Sequence, residues 1–133
     1  MKYLVLLFLL LSLFSCRNEG DDLPVDEYVG KWKWASATGI TDNTYETPET
    51  TGTEKILILN ANSTYSVIWN GSVNNSGTYS ITTKKDLFGG SEQKIIVFSD
   101  APERVISSVS NTQLELVDDS EQGLKELYLK IGE

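Results

Sequence analysis

The chain has 133 residues, of which 40% are apolar and thirteen are aromatic, enough to bury the core of one ordinary domain. Nineteen acidic against eleven basic side chains give a net charge of −8, which repels a phosphate backbone and excludes nucleic acid as a partner. A single cysteine and no histidine exclude an internal disulfide, a Cys/His zinc site and a Cys-x-x-Cys redox pair.

Met1-Lys2 supplies a positive charge, and Tyr3 to Phe14 is a hydrophobic run broken only by Ser12. It is too short to cross a bilayer core of about 30 Å, which needs roughly 20 apolar residues in a helix, and it has the form of a secretory signal. Leu13-Phe14-Ser15-Cys16 resembles the lipobox of bacterial lipoproteins. The resemblance implies that residues 1–15 are removed and that Cys16 becomes residue one, lipidated on sulfur and acylated on its new amine. Each buried methylene contributes roughly 0.8 kcal/mol to partition, so two or three acyl chains hold a protein where one does not. Cys16 is thus expected to be an anchor rather than a nucleophile, and the membrane to be a partner through its lipid.

Residues 16–27 follow as a lipidated cysteine and flexible acidic tether, RNEGDDLPVDE after Cys16, with little to bury. Arg17 is not the aspartate that typically marks inner-membrane retention. Glu19, Asp21 and Asp22 resemble the short acidic signal that sends lipoproteins of Bacteroidota to the cell surface. The implied location is the outer membrane, with surface exposure as one possibility.

From Tyr28 the dominant period is two, which means strands. YVGKWKWASA places Trp32, Trp34 and Ser36 on one face and Lys31, Lys33 and Ala35 on the other. EKILILN is continuously apolar, so both of its faces need cover. STYSVIWN groups Tyr65, Val67 and Trp69, and GTYSIT groups Tyr79 and Ile81. EQKIIVFS, ERVISSVS, TQLELVD and LKELYLKI complete eight strands, the last setting Leu127, Leu129 and Ile131 against Tyr128 and Lys130. Turn residues fall between them at Asn60 to Ser63, Asn70-Gly71, Asn74 to Gly77, Gly89-Gly90, Asp100 to Pro102, Ser110-Asn111 and Asp118 to Gly123. Connections this short join antiparallel neighbours.

The exception is GITDNTYETPETTG, residues 39–52, a long threonine-rich connection carrying Tyr45. Loops of this length inside compact domains usually have a use, and the expectations are a flap over a cavity or a solvated excursion.

Eight sequential antiparallel strands leave two raw edges unless the sheet closes or splits. The expected fold over residues 28–133 is all-β, a single up-and-down antiparallel barrel of about eight strands, with an immunoglobulin-like β-sandwich as the alternative. Gly30-Lys31-Trp32 resembles the Gly-x-Trp signature of the first lipocalin strand, where the tryptophan plugs the closed end. Together with the long following loop, ILILNANSTYSV and SGTYSI, the pattern is similar to the small lipocalin-like lipoproteins of Bacteroidota. The resemblance gives Gly30 and Trp32 structural roles. The arginine that packs over this tryptophan in lipocalins has no counterpart, and Lys130 is the nearest cation.

A barrel of this size is either filled by side chains or holds one small ligand. Trp34, Tyr65, Trp69 and Tyr79, with Tyr45 from the long loop, are the candidate ligand-binding residues, their aromatic faces suiting a small apolar or amphipathic molecule. The same aromatics also serve as plain core. Asp118-Asp119-Ser120-Glu121 reads as a solvated turn rather than an acid–base pair, and neither it nor Asp21-Asp22 with Asp26-Glu27 has the donor spacing of a calcium loop. No catalytic residue, metal site or cofactor is therefore expected. The rival function is a protein- or glycan-interaction module, favoured if Ile56, Ile58 and Ile68 form one uncovered outer patch.

Overall fold

The computed structural model describes residues 25–85, 90–118 and 123–133. The leader, Cys16 and most of the tether lie outside these residues, as do Gly89 and the turn residues 119–122.

Among the described residues there are nine strands: β1 (Gly30–Gly39), β2 (Tyr45–Glu46), β3 (Lys55–Leu59), β4 (Thr64–Trp69), β5 (Ser72–Lys85), β6 (Glu92–Phe98), β7 (Arg104–Val109), β8 (Gln113–Asp118) and β9 (Leu124–Gly132), with a one-turn helix α1 (Pro48–Thr51) after β2. Each long strand pairs antiparallel with the next, and β1 pairs with β9, so eight strands close a barrel. Closure removes both raw edges, the liability an open sheet or sandwich would keep. The ninth strand, β2, lies within the long connection and pairs with the far half of β1 through Ala37↔Glu46 and Thr38↔Tyr45.

That connection is tied down throughout. Gly39 N donates to Thr44 O at 2.8 Å, and Asp42 Oδ1 accepts from Thr44 N at 3.1 Å. Thr47 caps α1 reciprocally with Thr50, satisfying amides that a helix start leaves free. Pro48 fits the first helical position, where its missing N–H costs nothing.

Bulges re-phase the alternation at several points. An extra residue in β1 at Ala35 shifts register, so that Ala37 rather than Ser36 shares the inner face with Trp32 and Trp34. Asn74 to Gly77 is not a turn: these residues lie inside β5, and Asn74 is the extra residue between Val73, opposite Ile68, and Asn75, opposite Val67. The expected two-residue turn at Asn70-Gly71 does occur, both residues taking positive φ as a tight hairpin requires. In β9 the inner face carries Leu124, Glu126, Tyr128 and Lys130, which sends Leu127, Leu129 and Ile131 outward.

The core fills the lower half of the barrel. Tyr28, Trp32, Leu59, Ile81, Ile96 and Leu114 are fully buried there, with Val25 packed against the core, while Tyr65 and Leu116 are fully buried towards the other end. Trp32 Nε1 donates to Tyr28 O at 2.8 Å, and the Lys130 ammonium stands 5.4 Å from the Trp32 ring centre, in cation–π range. Lys130 thus occupies the place that the resemblance gives to an arginine. Gly30 holds φ of +144°, and a Cβ there would sit 2.9 Å from Gly132 O and 2.6 Å from Lys130 Cε. No other residue fits beside this seam without strain.

Candidate functional site: the open end of the barrel

The upper half of the barrel is constructed differently. Lys55 starts β3, Arg104 starts β7 and Glu126 lies near the start of β9, so strand direction brings all three inner-facing residues to the same end. Glu126 is only 5% exposed, and its carboxylate accepts from Lys55 Nζ on one side and Arg104 on the other. Tyr128 OH also donates to Glu126 Oε2 at 3.1 Å. Arg104 Nε lies 2.6 Å from Asp118 Oδ1, an ion contact off the hydrogen-bond direction. Burial pushes the Glu126 carboxyl up, but the charges of Lys55 and Arg104 and their hydrogen bonds outweigh it, holding the group below the usual carboxylate range. Tyr128 is driven well above the ordinary phenol value by burial first and by the Glu126 charge second. Lys55 also stands 5.2 Å from the Trp34 ring centre and 5.6 Å from that of Tyr128.

Two chambers open around this network. One, about 190 Å³, is lined by Leu57, Tyr65, Val67, Phe98 and Leu116 under the turn at Ala101-Pro102. The other, about 210 Å³, lies between Trp34, Ala37 and Leu124 on the wall and Glu46 and Thr51 of the long connection. Lys55 and Trp69 border both. Together the chambers reach the lower end of the roughly 300–1,000 Å³ typical of small-molecule sites. The long connection is therefore a partial roof, as a flap would be.

The five candidate aromatics divide. Trp34, Tyr65 and Trp69 come together at the open end, Trp69 being 46% exposed at its rim. Tyr65 stacks on Phe98, their rings 4.6 Å apart and inclined at 56°, and its ring passes over Gly77, where a Cβ would come within 3.1 Å of Tyr65 Cε1. Tyr79 sits in the packed core, where its hydroxyl donates to Asn60 O at 2.9 Å, and it borders neither chamber. Tyr45 is 65% exposed. In the two-residue strand β2 only one side chain can face the lumen, and register gives that place to Glu46, opposite the inner Ala37.

The residues not anticipated are Lys55, Arg104 and Glu126. A signal for each existed: Lys55 is in phase with inner Leu57 and Leu59, Arg104 with Ile106, and Glu126 with Tyr128.

Two further donors at this end are buried without a partner among the described residues, the Trp34 indole N–H and the Tyr65 hydroxyl. Burial first and the nearby Asp100 carboxylate second raise Tyr65 OH above the ordinary phenol value, against a smaller lowering by the Asp100 backbone amide. No cluster of metal-ligating side chains occurs among the described residues. Fold and site define a lipocalin-like barrel with a polar, partly roofed mouth. Compared with protein-family models, curated proteins and solved structures, the chain matches none.

Proposed function

We propose that this chain is a lipid-anchored, non-enzymatic lipocalin-like lipoprotein of the outer membrane that holds a small apolar or amphipathic molecule at the open end of its barrel. The observation that carries the binding reading is the pair of chambers, about 190 and 210 Å³, that share Lys55 and Trp69 as walls, one under the Ala101-Pro102 turn and the other beneath the long connection. Aromatic and aliphatic walls supply apolar burial, and a few fixed polar groups supply orientation. The lipobox ending at Cys16 supports the anchor, and the acids Glu19, Asp21 and Asp22 support a surface destination. Incubating the purified protein with a cell extract and identifying retained molecules by native mass spectrometry tests binding. A retained small molecule lost on Trp69→Ala is expected, and a protein that emerges bare from every extract would refute it. Cys16→Ser should move the protein from the membrane to the soluble fraction, and a variant that still sediments with membranes contradicts the anchor.

A second reading, a protein- or glycan-interaction module, is favoured by the outer wall. Ile56 and Ile68 face each other across β3 and β4, Val73 follows opposite Ile68, and Leu129 flanks Lys33 from the other side of β1. Ile58 lies on the same outer face, and Val73, Leu129 and Ile131 are exposed. Cross-linking on intact cells, repeated with lysines at Ile56, Ile58 and Ile68, separates the two: loss of cross-links with unchanged small-molecule retention marks the outer wall as the working surface.

A further inference from the structure

Among the described residues the ion pairs within the mouth network balance. Lys55 and Arg104 are two cations, and Glu126 and Asp118 are the two described carboxylates paired with them. A charged ligand head entering this network would have to displace a partner already held there and strand a buried ion. The surroundings also disfavour an anion, because Glu46 borders one chamber and the Asp100 carboxylate lies close enough to Tyr65 to act on its hydroxyl.

Apart from Arg104 Nε, which faces the Asp118 carboxylate, what remains open is neutral. Trp34 is 5% exposed and Tyr65 1%, and the indole N–H of one and the hydroxyl of the other have no partner among the described residues. The two side chains line the two chambers, Tyr65 the one under the Ala101-Pro102 turn and Trp34 the one beneath the long connection, on either side of Lys55 and Trp69. An indole N–H can only donate, and a phenol donates or accepts. Buried donors are almost always paired in folded proteins, so two unpaired ones, one beside each chamber, mark where acceptors belong.

We propose that the molecule held at the mouth is an uncharged, largely apolar compound bearing one or two acceptor oxygens, of the ketone, ester or ether type, which take the hydrogen bonds of Trp34 and Tyr65, and that the site discriminates against carboxylates and ammonium ions. This deepens the binding function proposed above and rests on it. The paired charges of Lys55, Glu126 and Arg104 then serve as a charge filter rather than as a counter-ion for the ligand.

Four probes of one ring system test this: acetylnaphthalene, ethylnaphthalene, naphthoate and naphthylmethylammonium, titrated into the purified protein. One extra hydrogen bond corresponds to roughly a tenfold change in dissociation constant, so acetylnaphthalene is expected to bind about tenfold tighter than ethylnaphthalene. Both charged probes should bind more weakly than the ketone. By NMR, the Trp34 indole proton should move downfield with the ketone and not with the hydrocarbon. Tyr65→Phe keeps the ring stacked on Phe98 and should shrink the ketone's advantage while leaving ethylnaphthalene unchanged. Naphthoate binding as tightly as the ketone overturns the proposal, as does equal binding of ketone and hydrocarbon with no selective shift at Trp34. Equal binding of those two leaves the binding function standing, whereas binding of none of the four ends both.

Discussion

Trp32 and Trp34 stand two positions apart on one strand, both face inward, and each has a lysine ammonium above its ring, Lys130 at 5.4 Å and Lys55 at 5.2 Å. Their polar atoms differ. Trp32 Nε1 is satisfied by Tyr28 O, and Trp34 Nε1 has no acceptor among the described residues. The difference extends to the two ends of the barrel: Tyr79 at the floor donates to Asn60 O, and Tyr65 at the mouth donates to nothing among the described residues. Of the four buried side-chain polar atoms without a hydrogen-bond partner among the described residues, the floor holds one, the Tyr28 hydroxyl, close to the Glu27–Lys94 pair. At Trp32 and Tyr79 the polar atom is satisfied within the core, whereas at Trp34 and Tyr65 it is left open beside the chambers.

The largest test of this contrast is at the floor. Trp32→Ala is expected to cost about 3–5 kcal/mol in urea denaturation, the usual range for emptying a large buried aromatic site. A Trp34→Ala loss of equal size would break the contrast, because Trp34 already borders open space.

Next comes the ion network at the mouth. Glu126→Gln leaves Lys55 and Arg104 without their shared carboxylate and should cost about 3 kcal/mol, the lower end of what a broken buried pair costs. Because the folded state holds the Glu126 carboxyl below its ordinary value, its contribution is fully present above the unfolded pKa of about 4.3 and is lost as pH falls through the lower folded value. Unfolding followed from about pH 6 down to 3 should therefore show a steeper acid loss in the natural protein than in Glu126→Gln. Parallel curves would mean the network stabilises nothing.

Smaller effects sharpen the picture. Gly30→Ala must fit a Cβ against Gly132 O at a φ that other residues avoid, and should cost upward of about 1 kcal/mol in thermal unfolding. Tyr45→Ala removes a side chain that borders neither chamber and should leave stability within about 0.5 kcal/mol and probe binding unchanged. Loss of binding in that variant would place the ligand on the roof's outer side instead.

Strand rhythm and turn chemistry made the closed barrel readable, because period two and short polar connections are local properties of the chain. The bulge at Ala35 escaped because one inserted residue alters phase without altering composition, and the substitution of Ala37 for Ser36 on the inner face follows from it. The mouth was less legible for a different reason. In LKELYLKI the leucines and the isoleucine suggest the buried side, yet the inner face is the one carrying Glu126, Tyr128 and Lys130. Glu126 can be buried only because Lys55 and Arg104 meet it from 71 and 22 residues away, and no local pattern contains that pairing. Tyr79 and Tyr65 look alike in their strands, and only the nearness of Asn60 O separates packing from site.

The seam between β1 and β9 has a consequence in time. It joins residues roughly 85–100 positions apart, and contacts of such separation form late because a long loop must first be closed. The first strand must wait, its Trp32 and Trp34 uncovered on that side, until β9 has been made and delivered. Assembly in the cell therefore depends on keeping the N-terminal strand from pairing elsewhere before its final neighbour arrives.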